Sequence, residues 1–311
     1  TWKLIYNATN ITGKGETVCV VDSGIDYTHP ALGNCTTNQF TAGTCGKVLS
    51  GYDFKNNDND PVDDQGHGTH VAGIIASKNE TFRGVAPDAN LVALKVCDNT
   101  TGGNCATADI ISAIEWCTDN ATVFNISIIS ISLAGGLSTG YCNDDSIAPS
   151  INAAVGQNIS VVVAAGNDVS TTQISSPACI QNATAVGSVG DTDTIPSYSN
   201  RNNITNLLAP GGANTAGNHI KSTVPTGSCV NCDSSGFKEL SGTSMATPHV
   251  AGAFALLYQY FKLTENRNAT PSEIEDTLND TGKQIDDTSG SGFFFSRINI
   301  FAAIESLDTL S

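Results

Sequence analysis

Apolar runs rich in β-branched residues alternate with helical patterns along most of this chain. The apolar runs are Thr17–Val21, Leu91–Val96, Ile126–Leu133, Val161–Ala165 and Ala183–Ser188. Helical spacing predicts helices over Gly68–Ala76, Ala108–Cys117, Ser146–Val155 and the residues after Ser244. Near-continuous apolar strands separated by helices are typical of a parallel sheet covered on both faces. The sequence therefore predicts an α/β fold with three layers, α/β/α, and a mostly parallel central sheet.

No composition shift or linker-like stretch divides the sequence. The 311 residues exceed the common domain size of about 100 to 200 residues, but a large α/β unit of this length can still form one domain. Thr1–Leu4 lacks the charged start and the apolar core of a signal peptide. We therefore predict a single domain over residues 1–311, in a mature form from which any targeting segment has been removed.

The charge and hydropathy of the chain restrict its partners. Lys and Arg number 14 against 30 Asp and Glu, which gives a formal net charge of −16. This balance argues against nucleic acid or an anionic membrane surface as a partner. No apolar run approaches the roughly 20 residues of a transmembrane helix. We expect a soluble monomer without a transmembrane segment.

Cysteines and glycosylation sequons indicate the compartment. Ten cysteines, mostly in loop-like contexts, favour structural disulfides and an oxidising, extracellular location. Proximity alone suggests the pairs Cys35–Cys45, Cys97–Cys105 and Cys229–Cys232. A zinc site at the last pair is the weaker alternative, because no second ligand pair follows at a suitable spacing. Sequons consistent with N-glycosylation begin at Asn7, Asn10, Asn34, Asn79, Asn99, Asn120, Asn125, Asn158, Asn182, Asn203, Asn268 and Asn279.

Polar residues follow two of the predicted strands, where a parallel sheet places its ligand site. Asp22 ends the first strand, where the backbone and neighbouring residues can bury its carboxylate. An isolated Asp before Gly would suit a simple turn equally well. Asn167 follows the Val161–Ala165 strand, and its amide can either shape a turn or donate to a developing oxyanion.

Two histidines three residues apart lead the predicted Gly68–Ala76 helix. His67 lies between two glycines, which leave room for another molecule to approach, and a histidine with a pKa near neutrality can act as a general base. His70, inside the helix, is best interpreted as a packed core residue. A zinc site made of both is the alternative, but no third ligand stands at a familiar spacing.

Ser244 stands between small residues at the start of an apolar helix. The segment reads Gly242-Thr243-Ser244-Met245-Ala246-Thr247-Pro248. We predict that Pro248 lies in the first helical turn, where proline needs no donor, and the helix dipole favours negative charge at this end. Both properties suit a nucleophile whose reaction creates an oxyanion.

These segments, in this chain order, resemble the subtilisin-like serine proteases of the subtilase family. The matching stretches are Asp22–Gly24, His67–Gly73, Ala165–Asn167 and Gly242–Pro248. Weaker similarities, from Ile11–Gly15 to Arg297–Asn299, extend over nearly the whole chain. The resemblance implies a subtilisin-like fold and a secreted serine endopeptidase, made as a zymogen, that acts on polypeptide substrates.

The resemblance also implies roles for single residues. Ser244 attacks the scissile carbonyl and forms an acyl-enzyme, His67 transfers the proton, and Asp22 orients the imidazole. The amide of Asn167 and the backbone N–H of Ser244 bind the oxyanion. An extended substrate pairs with an exposed strand edge. The residues implied in substrate binding are Ser132, Leu133, Ala134, Gly135, Ala165 and Gly166.

The expected pocket walls suggest the substrate preference. The family usually has glycine where this chain has Ala134, and the added methyl group either narrows the subsite or has no effect. Ala165, Gly166 and the loop Asp168–Ser176 should line the pocket for the residue before the scissile bond. No bulky side chain closes this pocket and Asp168 stands at its rim, so we expect broad specificity with a preference for large apolar or basic residues.

The stretch Asp53–Asp64 concentrates oxygen ligands just before His67. A solvated acidic loop is the simpler interpretation, but Ca²⁺, with about six to eight oxygen ligands, would relieve the repulsion between the carboxylates. The stretch is not an EF-hand, because Pro61 occupies the place of the glycine turn. It resembles a calcium loop of thermitase-like members of the family, which implies a structural Ca²⁺ ion with the ligands Asp53, Asn56, Asp58 and Asp60.

Two functions from other classes compete with a serine protease. The first is a catalytically inactive, cell-surface binding protein on the same fold, but such relatives typically lose a member of the catalytic triad and none is missing here. The second is a metal-dependent hydrolase that uses His67 and His70. Chelators would abolish the chemistry of that hydrolase directly, whereas in a calcium-braced serine protease they would lower only the stability.

Overall fold

The computed structural model describes residues 10–101, 103–213 and 217–308. Thr1–Leu4 and the sequon at Asn7 lie outside these residues. The strands are β1 (Thr17–Asp22), β2 (Val48–Asp53), β3 (Asn90–Lys95), β4 (Ile126–Ile131), β5 (Leu137–Ser138), β6 (Ser160–Ala164), β7 (Ile174–Ser175), β8 (Thr184–Val189), β9 (Leu207–Pro210), β10 (Ile220–Thr223), β11 (Phe237–Leu240), β12 (Lys283–Asp287) and β13 (Phe293–Arg297). The helices are α1 (Thr37–Thr41), α2 (His67–Ala76), α3 (Thr107–Asp119), α4 (Ala121–Phe124), α5 (Ala148–Gly156), α6 (Thr243–Thr264), α7 (Pro271–Asp280) and α8 (Ile300–Asp308), with a 3-10 turn at Pro30–Leu32.

Nine strands form the central sheet in the order β12-β13-β9-β8-β6-β4-β1-β3-β2. Neighbouring strands are parallel, except that β12 and β13 form an antiparallel hairpin at one edge. Two short antiparallel pairs, β10 with β11 and β5 with β7, lie outside this sheet. The prediction of a mostly parallel sheet is confirmed.

The central strands are buried on both faces, and alternate side chains belong to different cores. Val18 and Val20 of β1 pack in the cluster that includes residues of α2, α6, α7 and α8. Cys19 and Val21 pack in a second cluster with residues of α3 and α5. Because side chains alternate across a strand, two apolar clusters on one strand require cover on both sides of the sheet. The predicted three-layer α/β/α architecture is therefore confirmed.

Several elements were not predicted from the sequence. The strands β2 and β12 are rich in polar residues, β9 has four residues, and the apolar part of β13 has three, so they lack the longer apolar run that identified the central strands. Helix α7 carries a capping box, in which Thr270 and Glu273 each accept a hydrogen bond from the backbone N–H of the other. That signature is readable from the sequence and was missed.

All ten cysteines form disulfides. The predicted pairs Cys35–Cys45, Cys97–Cys105 and Cys229–Cys232 are confirmed. The pairing of Cys229 with Cys232 also excludes the zinc alternative, which requires free thiolates. Two further bridges, Cys19–Cys117 between β1 and α3 and Cys142–Cys179, join residues that only the packing brings together.

The longest helix in the described part of the chain is α6, with 22 residues. It crosses the core beside the sheet and contributes Met245, Phe254 and Leu257, all buried, to the larger cluster. Neither α6 nor any other helix within residues 10–101, 103–213 and 217–308 is both long and apolar enough to span a membrane. The N-terminal turn of α6 lies at the carboxyl-terminal ends of the neighbouring central strands β1, β4 and β6.

Candidate active site

A cleft of about 990 Å³ lies where these strands end. Since β1, β4 and β6 are neighbours in the sheet, the residues that follow them come to lie side by side. The first turns of α2 and α6 complete the walls. Among the residues that line the cleft are Asp22, His67, Ser132, Asn167 and Ser244. The four residues expected to be catalytic therefore surround one cleft.

Asp22 and His67 are in direct contact. Nδ1 of His67 lies 2.8 Å from Oδ1 of Asp22, whose side chain is buried. The backbone N–H of Ser23 donates to the same oxygen at 2.8 Å. Because a carboxylate only accepts hydrogen bonds, Nδ1 must carry a proton, and Nε2 is the basic nitrogen of the neutral ring.

The surroundings of His67 raise its pKa. Burial by itself would lower it, but the charge of Asp22, the hydrogen bond to Asp22 and the charge of Asp63 together raise the pKa above the ordinary value of 6.5. Each of these carboxylates stabilises the imidazolium form. The ring is therefore well suited to accept a proton and give it back.

Gly68 permits the close approach of α2 to the end of β1. A Cβ atom at this position would lie 2.1 Å from the carbonyl oxygen of Gly24 and 3.1 Å from Cβ of Asp22. Any side chain would push apart the two segments that carry Asp22 and His67. Glycine is required here because the backbones themselves are in contact.

Asp63, four residues before His67, ties the loop to both segments. Its Oδ1 accepts hydrogen bonds from the hydroxyl of Ser23 at 2.9 Å and from the backbone N–H groups of Gln65 and Gly66 at 3.0 and 2.7 Å. Its Oδ2 accepts from the backbone N–H and the hydroxyl of Thr69 at 2.8 and 2.5 Å. Burial raises the pKa of Asp63, although the hydrogen bonds from Thr69, Gly66 and Gln65 oppose the shift.

The role of Asp63 was missed because the sequence placed it in the acidic calcium stretch. The sequence feature that indicates this role is the position of Asp63 in the turn that leads into α2. A buried carboxylate needs several donors, and a helix N-terminus supplies free backbone N–H groups.

His70 is a core residue, as predicted. It is fully buried, and its Nε2 lies 3.1 Å from the carbonyl oxygen of Ile220 and 3.0 Å from that of Lys238. Burial lowers the pKa of His70 to about 3, so the ring is neutral and donates from Nε2. In the part of the chain that the structure describes, no three His, Cys, Asp or Glu side chains form a group able to hold a metal ion. The zinc pair of His67 and His70 is not supported.

Ser244 and Ser132 hold each other through reciprocal hydrogen bonds. The hydroxyl of Ser244 donates to the carbonyl of Ser132 at 3.1 Å, and the hydroxyl of Ser132 donates to the carbonyl of Ser244 at 3.0 Å. The Ser244 carbonyl lacks a helical partner because the residue four positions later is Pro248, which has no N–H. Pro248 lies in the second turn of α6, so its prediction in the first turn was wrong. Its effect is to free a carbonyl for Ser132.

Asn167 is fixed at one end of its amide. Its Oδ1 accepts from the backbone N–H of Thr243 at 2.9 Å and from the Thr243 hydroxyl at 3.1 Å. Asn167 lines the cleft beside the N-terminus of α6, and because Thr243 engages its oxygen, the amide nitrogen remains available as a donor. The free backbone N–H groups of a helix N-terminus and an amide donor at the same place form a suitable site for an oxyanion.

The predicted substrate-binding residues divide into two groups. Ser132, Leu133, Ala134 and Gly135 line the cleft, and Ala134 and Gly135 are exposed. The segment is anchored at its end, where the backbone N–H of Gly135 donates to the carbonyl of Ser176 at 2.7 Å.

The second group consists of Ala165 and Gly166, which directly precede Asn167 in the chain. Ala165 and Gly166 are buried and are not among the residues that line the cleft. Oδ2 of Asp168 accepts from Asn200 at 2.9 Å and from Ser175 at 3.2 Å. The acidic residue that lines the cleft besides Asp22 is Asp145, which the sequence did not single out.

The carboxylates of Asp53, Asp58 and Asp60 in the acidic loop before His67 accept hydrogen bonds from other protein groups. Oδ1 of Asp53 accepts from the backbone N–H groups of Lys55 and Asn56, and Oδ2 accepts from the Asn56 amide at 2.8 Å. Asp58 accepts from the N–H of Asp60, and Asp60 accepts from the hydroxyl of Tyr27 at 2.6 Å. Among the described residues, no three acidic side chains of this loop form a group able to hold a metal ion, so the arrangement does not fit a calcium site as it stands. The calcium ligands Asp53, Asn56, Asp58 and Asp60 stay a prediction.

Comparison with known proteins identifies relatives over most of the chain. The profile of the Subtilase family matches residues 13–294. Alkaline serine exoprotease A of Vibrio alginolyticus is 36% identical over 289 residues, which cover 92% of this chain and 46% of that protein. Thermitase of Thermoactinomyces vulgaris is 33% identical over 298 residues, covering 94% of this chain and 90% of that protein.

The length of the match differs between relatives. A thermophilic serine proteinase of Bacillus sp. (strain AK1) is 35% identical over 293 residues, 93% of this chain but 62% of that protein. The chain thus spans about half to two thirds of the length of two of the relatives it matches.

The fold has solved counterparts. A cold adapted subtilisin-like serine proteinase superposes with a TM-score of 0.71 at 32% identity, covering 93% of this chain and 89% of the other. A protease from Pseudoalteromonas arctica superposes with a TM-score of 0.78 at 28% identity, covering 98% and 93%. With the cleft and the Asp22–His67 contact in place, these matches show that the chain belongs to the subtilase family of serine peptidases.

Proposed function

We propose that this protein is a secreted serine endopeptidase that hydrolyses peptide bonds through Asp22, His67 and Ser244. The observation that carries the proposal is the 2.8 Å contact of Asp22 with His67 in the cleft that also holds Ser244 and Asn167. Family membership supports the reaction class. The inactive binding protein that competed at the sequence level is disfavoured, because each expected catalytic residue lies in the cleft.

In the proposed reaction, the Ser244 hydroxyl turns from the Ser132 carbonyl toward Nε2 of His67. Ser244 Oγ attacks the scissile carbonyl while Nε2 takes its proton, and Asp22 stabilises the imidazolium. The C–N bond then breaks, and Nε2 gives the proton to the leaving amine. Water hydrolyses the acyl-enzyme by the same route. The hydroxyl of serine alone is too weak a nucleophile at neutral pH, so the base is essential.

The negative oxygen of each intermediate is stabilised at the start of α6. Asn167 donates from its amide nitrogen, because its carbonyl oxygen is engaged by Thr243. The backbone N–H of Ser244 is the second donor, in the first turn of the helix. Both donors are in place before the reaction, which is what makes such sites effective.

We also propose where the protein acts and which substrates it prefers. Five disulfides support an oxidising, extracellular compartment and hence secretion. The exposed edge at Ala134 and Gly135 supports binding of extended polypeptides, by a monomer with broad specificity for large apolar or basic residues. The negative charge of Asp145 in the cleft favours basic substrate residues. The sequence analysis expected this effect from Asp168.

A direct test compares the wild type with Ser244→Ala and with Ser272→Ala, a matched serine on the surface of α7. The substrates are fluorescence-quenched peptides blocked at both ends, which an exopeptidase does not cleave. We expect Ser244→Ala and a serine-reactive fluorophosphonate each to remove activity, and Ser272→Ala to retain it. Undiminished hydrolysis by Ser244→Ala would overturn the assignment. Cleavage of unblocked peptides only would indicate an exopeptidase.

A further inference from the structure

The disulfide Cys229–Cys232 closes a short loop at the rim of the active-site cleft. Its two central residues, Val230 and Asn231, line the cleft together with Gln65, His67 and Ser244. This loop lies outside the segments that carry the family resemblance, ten positions before Gly242. Its position beside the catalytic residues calls for a functional explanation.

The loop is attached to the residues directly before His67. The backbone N–H of Asn231 donates to the carbonyl of Gln65 at 2.8 Å, and the Asn231 amide donates to Oε1 of Gln65 at 3.3 Å. The same Oε1 accepts from the backbone N–H of His67 at 2.8 Å. A Cβ atom on Gly66 would lie 2.8 Å from Cβ of Asn231, so the loop and this segment are in close contact.

The backbone around Val230 is held on several sides. Besides the disulfide, the carbonyl of Val230 accepts from Nζ of Lys238 at 3.1 Å, and the N–H of Asp233 donates to the carbonyl of Pro225 at 3.1 Å. The side chain of Val230 is nonetheless 39% exposed. A fixed backbone that presents an apolar side chain to a cleft is already ordered before a ligand binds, which lowers the entropic cost of binding.

The position of the loop indicates which part of a substrate it meets. His67 gives its proton to the leaving amine, so the residue after the scissile bond lies on the His67 side. The segment Ser132–Gly135, on which the acyl side of the substrate pairs, is attached instead to Ser244 and Ser176. The Cys229–Cys232 loop is attached to Gln65, beside His67, and not to Ser244 or Ser176. We therefore place it on the side of the leaving group.

We propose that Val230 forms an apolar wall for the side chain of the residue that follows the scissile bond. This inference rests on the proposed peptidase activity and adds a specificity-determining residue to it. An apolar side chain at that position of the substrate is removed from water against Val230. A difference of one or two methyl groups in such a pocket changes kcat/KM on the order of tenfold.

The test uses two blocked, quenched peptides that differ only in the residue after the scissile bond, leucine or glycine, and one peptide methyl ester, whose leaving group is only a methoxy group. We expect Val230→Ser to lower kcat/KM for the leucine peptide about tenfold and to leave the glycine peptide and the methyl ester unchanged. The matched control is Val123→Ser, a 69% exposed valine on α4.

A second variant separates contact from folding. Cys229→Ser with Cys232→Ser opens the loop while keeping Val230, and we expect the same selective loss for the leucine peptide. If either loop variant lowers kcat/KM equally for the methyl ester and the leucine peptide, or if the loss depends on the residues before the scissile bond, the subsite assignment is wrong. Failure of the wild type to cleave any of the three substrates would instead overturn the peptidase activity itself.

Discussion

Asn167 and Thr243 are joined by two hydrogen bonds, from the backbone N–H and the hydroxyl of Thr243 to the same amide oxygen, at 2.9 and 3.1 Å. The pairing fixes which end of the amide faces the cleft. Because Thr243 immediately precedes Ser244, it also sets the distance between the amide donor and the nucleophile. The start of α6 thus carries the proposed nucleophile, Ser244, and orients the proposed oxyanion donor, Asn167.

Asn167→Ala is expected to lower kcat by about 10²- to 10³-fold with a smaller change in KM, the range known for one such donor in a subtilisin. The interaction develops only in the transition state, so binding of the substrate is little affected. Steady-state kinetics on a peptide substrate measures both constants. A comparable rise in KM with constant kcat would place Asn167 in ground-state binding instead.

The activity is expected to fall as the pH is lowered through the pKa of His67, since only the neutral ring accepts the proton of Ser244. The carboxylates of Asp22 and Asp63 raise this pKa above 6.5 against the effect of burial, while His70 nearby is neutral. Asp63→Asn removes one of the two charges, so the acid limb of the kcat/KM profile should move to lower pH. Asp191→Asn, on the surface, is the control and should leave the limb in place. An unmoved limb in Asp63→Asn would show that Asp63 acts through structure alone.

Gly68→Ala should impair catalysis more than stability alone explains. The new methyl group would overlap the carbonyl of Gly24 and displace Asp22 or His67, and a displacement of about 1 Å at a catalytic residue can cost 10²-fold in rate. Gly46→Ala is the matched control, because no heavy atom outside Gly46 and its two chain neighbours lies within 4 Å of a Cβ atom there. Measuring kcat/KM together with the melting temperature separates the two effects. Equal activity of both variants would contradict the tight packing at position 68.

Removal of calcium tests the acidic loop. If Asp53, Asn56, Asp58 and Asp60 bind Ca²⁺ after a rearrangement of their internal hydrogen bonds, chelation should lower the melting temperature by about 5 °C or more. The kcat/KM of the folded enzyme at 25 °C should not change, because His67 and Ser244 need no metal. In Asp58→Ala the melting temperature should no longer respond to calcium. A wild type whose melting temperature ignores both calcium and chelator would show that the loop is a solvated acidic turn.

The sequence by itself determined the layered α/β fold and the four candidate catalytic residues, which the structure brings together in one cleft. Continuous apolar runs define parallel strands, and residues such as Asp22 and Asn167 then fall at the ends of those strands without reference to any distant contact. Disulfides between cysteines close together in the sequence, such as Cys35–Cys45, could be predicted for the same reason. These features depend on residues close together in the chain.

Only the tertiary structure decided the contacts between distant segments. Cys19 pairs with Cys117, Ser132 replaces the helical donor that Pro248 lacks, and Asp63 turns inward to Ser23 and Thr69 instead of joining an acidic surface. The loop that contains Val230 contacts Gln65 through Asn231, and these two residues are 166 positions apart in the sequence. Such contacts follow from how helices and loops pack on the sheet, and the periodicity of one segment contains no information about which other segment will lie against it.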